Sequence, residues 1–479
     1  MLLSKKISKP VYIYSKQFIL PIKFMRQTRK ILSMMLLTTL LVLKIPSNLY
    51  SQTVVQENSS EKLVATPKLD DATLENVVQY AIKNHPQIQQ SFIDQRIVEN
   101  TIKSKLADWY PQINFNYNLQ HNFLVQTSII GGNPVKLGVD NTSAAQFSLS
   151  QNLFNRDALL ANKSQNDVRL QASQTTANAK INLAANVSKA FYAVLATKQQ
   201  IKVTEGDIIR LQRSLKDAKN QYNAGTTDKI DYKRVSITLN NTLALKKSNE
   251  ELLKARLQNL KSLMAYPENE ELVIVYDTLQ LDRDIVIDTL QQSDFTSRIE
   301  YKQLATLKNL REAELKYNKW SYLPSVSFNG AYNLNFLNNS FTDLYSNNYP
   351  NSFANITLSL PIFQGGKRKA NINSAEWQLK RVDLDVKNLK LSVNSEYQQA
   401  LATYKSNLAV FFSQKENMEL AKEVYDLIQL QYRSGIKTYL EVITSETDLR
   451  TARINYYNSL YLVLSSKVDV QKSLGQLTY

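Results

Sequence analysis

The sequence has no cysteine, which excludes disulfides, thiol catalysis and a lipid-modified N-terminal cysteine. Its only histidines, His85 and His121, are far apart and lack metal-ligand spacing. GxSxG, P-loop and dinucleotide fingerprints are missing. Of 6 methionines, Met1, Met25, Met34 and Met35 lie near the start, which leaves Met264 and Met418 too few for a soft-metal path. No catalytic, cofactor or metal site is expected, and the protein is not expected to be an enzyme. Glycine makes up only 10 of 479 residues, well below the usual ~7%. That deficit argues for long helices with few turns, and for fewer domains than the length alone suggests.

Acidic residues are absent from residues 1–51, which carry nine Lys or Arg. Of the formal net charge of +16, those nine account for more than half and leave +7 for the rest. The basic balance is therefore a weak argument for nucleic acid, and no nucleic-acid partner is expected. Arg26, Arg29 and Lys30 precede the apolar run ILSMMLLTTLLVL (31–43). At about 13 residues the run is short of the ~20 that span a bilayer. Residues 1–51 read as a secretory signal peptide, with the true start possible at Met25 and cleavage near Ser51-Gln52. Residues 52–70 are polar and patternless, and read as a linker.

Beyond residue 70 the pattern is helical up to Trp109-Tyr110-Pro111, where Pro111 sets a boundary. The period then changes from 3.6 to 2. Ile113, Phe115, Tyr117 and Leu119 alternate with Gln112, Asn114, Asn116 and Asn118. After a loop holding Gly131-Gly132, a second alternation runs through Phe147, Leu149 and Leu153. A long helix, Asn155 to Tyr222, ends at Gly225 and is followed by a helix over 226–265. Residues 268–296 form a connector, with a β-like piece at Leu272–Tyr276 and a short helix.

The plan then repeats. A helix over Ser297–Lys319 leads to Trp320-Ser321-Tyr322-Leu323-Pro324, and Val326 to Phe336 and Ile356 to Ile362 alternate. Lys367 to Ser434 has neither glycine nor proline, and as one helix would reach roughly 100 Å. Gly435 is its stop signal, and residues 436–474 are the last helix. At an offset of 210 residues Tyr222 falls on Tyr432 and Gly225 on Gly435. The apolar seam Val187, Phe191, Val194, Ile201, Ile208, Leu211 then falls on Tyr397, Leu401, Tyr404, Phe411, Met418, Ala421. The domains read as a first repeat over 71–267, the equatorial connector 268–296 and a second repeat over 297–475.

Each half therefore supplies two strands with one apolar face and one face of Asn, Ser, Gln and Thr. No apolar element is left to cover the first face. A transmembrane β-barrel fits, with apolar residues towards outer-membrane lipid and amides towards water. Trp109, Tyr110, Trp320 and Tyr322 would lie in the interface belt. Four strands cannot close a barrel, so copies of the chain must share one. The fold class is mainly α with a small transmembrane β part, the long coiled-coil helices forming a tube below the barrel.

The order of strands and helices, the duplication, LSLPIFQGGKRKANI (358–372) and the two YxxG turns (222–225, 432–435) resemble the TolC family of outer-membrane efflux proteins. The resemblance covers roughly 71–475. It implies a homotrimer with a shared twelve-stranded barrel and a periplasmic α-barrel, docked to an inner-membrane pump through a periplasmic adaptor. It also implies a gate at the periplasmic tips. By matching, Tyr432 is the gate tyrosine, Lys437 the basic residue, Asp231 its acidic partner and Glu441 a ring carboxylate. Thr444 stands where a second ring carboxylate would be, so the ring is less acidic. Gly225 and Gly435 mark tips that contact the adaptor. The plainer readings are that Tyr222 and Tyr432 are last seam residues, and that Asp231, Lys437 and Glu441 are exposed helix-start charges. The function implied is a passive exit duct for small molecules. The alternatives are the outer-membrane channel of a type I protein-secretion system and a non-conducting periplasmic coiled-coil scaffold.

Overall fold

The structure is a computed structural model that describes residue 69 and residues 71–276, 284–291 and 294–477. The expected signal peptide, nearly all of the linker and part of the expected connector helix lie outside the described residues.

The chain opens with α1 (Leu74–Asn84) and α2 (Pro86–Ala107). His85 divides them: its backbone caps the first helix, and its Nδ1 accepts from the Gln87 amide at 3.2 Å. Pro86 occupies the first helical position, where a missing N–H costs nothing. Next come β1 (Gln112–His121), a small hairpin of β2 (Thr127–Ile130) and β3 (Asn133–Lys136), and β4 (Asn141–Phe154). Then follow α3 (Arg156–Asn223), α4 (Lys229–Met264), α5 (Ile299–Lys319), β5 (Ser325–Asn338), β6 (Asn351–Ser359), α6 (Lys367–Arg433) and α7 (Tyr439–Ser473).

Two details of the β part differ from the sequence expectation. The long loop after β1 folds into the β2–β3 hairpin, because Gly131 and Gly132 both adopt positive φ, at 61° and 88°. Two consecutive left-handed residues make the tight turn whose twist suits a hairpin. The last strand stops at Ser359 rather than Ile362, since Pro361 has no N–H to give a ladder.

β1, β4, β5 and β6 form one antiparallel sheet in that order. Residues directly opposite share a face. Phe115 lies opposite Phe147, which lies opposite Tyr332; Leu149 lies opposite Gly330 and Ile113; and Phe328 lies opposite Ile356. These define an apolar face. The other face carries Asn116, Gln146, Asn333 and Asn351 in one row and Gln112, Ser150, Asn329 and Asn355 in another. The separation is incomplete: Phe353, opposite Ala331, and Leu337, opposite Thr142, lie on the polar face, and Gln151, opposite Phe328, on the apolar one. Both edge strands, β1 and β6, have one side unpaired.

α3 and α6 have 68 and 67 residues, so each is roughly 100 Å long. α3 pairs with α4 and α6 with α7 as two hairpins, and α3 also runs along α7. α2 and α5 pack near the sheet end, against α3 and against both α3 and α6. Of the paired seam positions, Val187, Phe191, Val194, Leu211, Tyr397, Leu401, Tyr404 and Phe411 are all buried. The main core lies mid-length, where α1, α3, α4, α6 and α7 meet the connector. Tyr404 is fully buried there, and its hydroxyl donates to the Ile285 carbonyl at 2.8 Å and accepts from the Ile287 amide at 3.3 Å. Among the described residues no helix is long and apolar enough to cross a membrane.

Candidate functional site

Both hairpin tips are built alike. Gly225 and Gly435 have φ of 72° and 75°, a backbone state that L side chains resist by roughly 1–2 kcal/mol. The Gly225 amide donates to the Tyr222 carbonyl at 3.0 Å and the Thr226 amide to Gln221 at 3.0 Å. Gly435 and Ile436 repeat this with Tyr432 and Gln431 at 3.0 and 2.9 Å. The pattern is the paired 5→2 and 6→1 closure of a helix C-terminus. Tyr222 stacks on Tyr232 at 5.3 Å and Tyr432 on Tyr439 at 5.5 Å, so each tip is fastened by its own tyrosine pair.

The tips of one chain touch each other. The Tyr432 hydroxyl donates to Gln221 Oε1 at 3.3 Å, from the end of α6 to the end of α3. Behind it a small apolar cluster gathers Ile208, Leu211, Val235, Leu239, Tyr439 and Ile443 from α3, α4 and α7. Of the residues expected to form the gate, Tyr432 thus faces the opposite hairpin. Lys437 pairs with Glu441 at 2.7 Å, one helical turn away, and not with Asp231 within the chain. Glu441 also accepts from the Thr438 amide at 2.9 Å and its hydroxyl at 3.0 Å, closing a capping box at the start of α7. Lys437 first, then these Thr438 bonds, pull the Glu441 carboxyl down to about 2, so it stays charged at neutral pH. Asp231 lies in the first turn of α4, where a carboxylate favours the helix N-terminus. The Thr444 hydroxyl is turned back onto the Leu440 carbonyl at 2.9 Å.

Above the tips lies a cluster that the sequence reading missed. Asp207 is fully buried on α3 and bonds Arg210, and Arg210 Nε bonds Glu446 Oε1 on α7 at 3.2 Å. Arg450, also on α7, donates to Thr242 of α4 at 2.8 Å. Asp207 Oδ2 is enclosed without a hydrogen-bond partner. Glu446 is 3% exposed, and burial raises its carboxyl against the opposing pull of Arg210. The cluster is not duplicated: 210 residues on from Asp207 and Arg210 stand Asn417 and Leu420. It therefore marks the one seam where α3 of the first half meets α7 of the second.

At the other end, Trp109 and Tyr110 lie in the turn into β1, and Trp320–Tyr322 form the 3-10 turn into β5. All four thus stand at the helix-side end of the sheet. Arg156 lies 4.5 Å from the Tyr317 ring, Lys163 4.8 Å from Trp320 and Arg368 5.0 Å from Tyr322. Tyr110 and Tyr322 are exposed. The two histidines have ordinary partners: His85 caps α2, and His121 Nδ1 is 2.7 Å from Asn141 Oδ1 across the strand pair.

The profile of the family described as "Outer membrane efflux protein" matches residues 77–265 and 302–476. Outer membrane protein TolC of Escherichia coli is 19% identical over 423 residues, covering 84% of this chain and 82% of TolC. The solvent efflux pump outer membrane protein SrpC of Pseudomonas putida is 22% identical over 336 residues, covering 67% and 68%. In structure, CusC superimposes with a TM-score of 0.67 at 15% identity, covering 84% of this chain and 91% of CusC. The open-state MtrE channel of Neisseria gonorrhoeae gives 0.66 at 16% identity, covering 84% and 88%. With its duplicated strand pairs, its paired long helices and these likenesses, the chain belongs to the outer membrane efflux protein family, as a TolC-like channel of the Gram-negative outer membrane.

Proposed function

We propose that the protein is the trimeric exit duct of a tripartite efflux pump, conducting small molecules passively from the periplasm to the outside. The observation that carries this is the four-stranded sheet with one apolar face and two unpaired edges. In lipid an open edge leaves backbone groups unsatisfied at several kcal/mol each, so the edges must pair with copies. Three copies of four strands close a twelve-stranded barrel, and the α3–α4 and α6–α7 hairpins continue it as an α-barrel. The energy comes from an inner-membrane pump, linked by a periplasmic adaptor that contacts the tips at Gly225 and Gly435. Relatives described as solvent and antibiotic efflux pump proteins support efflux over protein secretion.

The gate in this reading is the tip constellation of Asp231, Tyr432, Lys437 and Glu441. Tyr432 ties the two hairpins of one chain through Gln221. Lys437 is held beside Glu441 in its own chain, and the lock of this reading is a link from Lys437 to Asp231 of a neighbouring copy. A lysine gives such a link one point contact in place of the bidentate fork of arginine, which makes the lock looser. Lys437→Ala and Asp231→Ala are each expected to raise single-channel conductance in planar bilayers by loosening the closed tips. Unchanged conductance in both variants would remove the gate assignment.

A further inference from the structure

The start of α6 breaks the usual charge rule. A helix N-terminus carries partial positive charge, which favours acids and disfavours basic residues there. α3 follows the rule, with Asn155 accepting from the Asp157 amide and Asp157 in the first turn. α6 begins instead with Lys367, Arg368 and Lys369, no acid in its first turn and Gly366 as an N-cap without a side-chain bond. No Asp or Glu occurs between Asp343 and Glu376. Three cations thus stand together at a helix start, in a stretch of more than thirty residues that holds no acid.

The position of this cluster names its partner. It follows β6 directly, at the helix-side end of the lipid-facing sheet, where the membrane hydrocarbon gives way to headgroups. Immediately before it, Ile362 and Phe363 are 90% and 88% exposed, just past the end of the strand that carries Ile356 and Leu358. Arg368 is held against Tyr322, one of the interface aromatics, and its Nε donates to Gln364 Oε1 at 3.2 Å, which fixes its charge at this end of the sheet. Apolar side chains followed within a few residues by clustered Lys and Arg make the pattern of a surface for anionic lipid.

We infer that Ile362, Phe363 and Lys367–Lys369 form a periplasmic-leaflet docking surface for anionic phospholipid headgroups, with the two apolar side chains in the acyl region and the cations on the phosphates. The inference rests on the outward orientation of the apolar face that the barrel reading requires. Fixing the barrel to the headgroups on this side would hold the long helices at a set height in the membrane.

The full-length protein, reconstituted in vesicles of phosphatidylcholine with a minor fraction of brominated phosphatidylglycerol, tests it through tryptophan quenching. A Trp109→Phe, Trp377→Phe background leaves Trp320 as the reporter. Phosphatidylglycerol is expected to be enriched roughly tenfold at the reporter over its bulk fraction, and the enrichment to fall with salt. The combined Lys367→Gln, Arg368→Gln, Lys369→Gln variant is expected to lose it, while Lys367→Arg with Lys369→Arg keeps it. Millimolar inorganic phosphate is expected to leave it intact. Equal quenching by brominated phosphatidylcholine, retention in the glutamine variant, or displacement by phosphate alone would each overturn the inference. Wild-type conductance measured in the same preparation separates its failure from failure of the duct reading: a conducting protein without lipid preference sinks only this surface.

Discussion

Replacing Arg210 with alanine is expected to weaken the seam between the two hairpins by roughly 3 kcal/mol, the lower end of what removing one partner of a buried ion pair costs. Among the described residues Arg210 alone bonds both Asp207 and Glu446, whose own side chains are 1% and 4% exposed. Without it, two enclosed carboxylates lose their bonded counter-charge. The lower end applies because the Arg210 side chain is itself 32% exposed, and because Glu446 can escape part of the cost by taking a proton. That escape has a direction. Burial already raises the Glu446 carboxyl, while Arg210, Arg450 and Arg453 hold it down. A carboxyl raised in the folded state contributes stability that is present at low pH and lost as pH rises through the raised value. Removing Arg210 raises it further, so the variant's deficit should be smaller at pH 5 than at pH 8. Hydrogen exchange of the α3 and α7 amides beside the seam reads this as roughly a hundredfold loss of protection at pH 8. Equal protection in variant and wild type, or a deficit that ignores pH, would mean that the cluster does not hold the seam.

The second large effect concerns the membrane. Phe115→Arg puts a charge on the apolar face in the middle rows of the sheet, where Phe115 stacks on Phe147 at 4.8 Å. An arginine at mid-bilayer on the lipid face of a barrel costs roughly 2–4 kcal/mol. The variant should be recovered poorly as folded protein in the outer-membrane fraction. Asn114→Arg, one residue away on the polar face, should assemble normally. The opposite outcome for the pair would mean that the faces of the sheet are inverted.

Much of this architecture was legible in the sequence, for physical reasons. Strands between lipid and water must alternate strictly, so Ile113 to Leu119 and Val326 to Phe336 declare themselves. Helices of nearly 70 residues tolerate almost no glycine, so their ends stand out at Gly225 and Gly435. The β2–β3 hairpin did not declare itself, because its strands have four residues each and contain Pro134. The Lys437–Glu441 pair was readable as an i,i+4 spacing, and Thr438–Glu441 as a capping box. Both lie within one turn of sequence, whereas the partner that the family resemblance assigns to Lys437, Asp231, lies on another helix. The Asp207–Arg210–Glu446 cluster was not readable at all. It joins helices from different halves, and no periodicity within either helix fixes how α3 slides along α7.

In the proposed function, copies of this chain make a conducting path through the outer membrane. The most direct test is single-channel recording of the purified full-length protein in planar bilayers. The duct reading predicts discrete conductance steps from the wild-type protein and larger steps from Lys437→Ala. A folded, membrane-inserted protein that leaves the bilayer electrically silent, with both wild type and variant, would contradict it and favour a non-conducting scaffold.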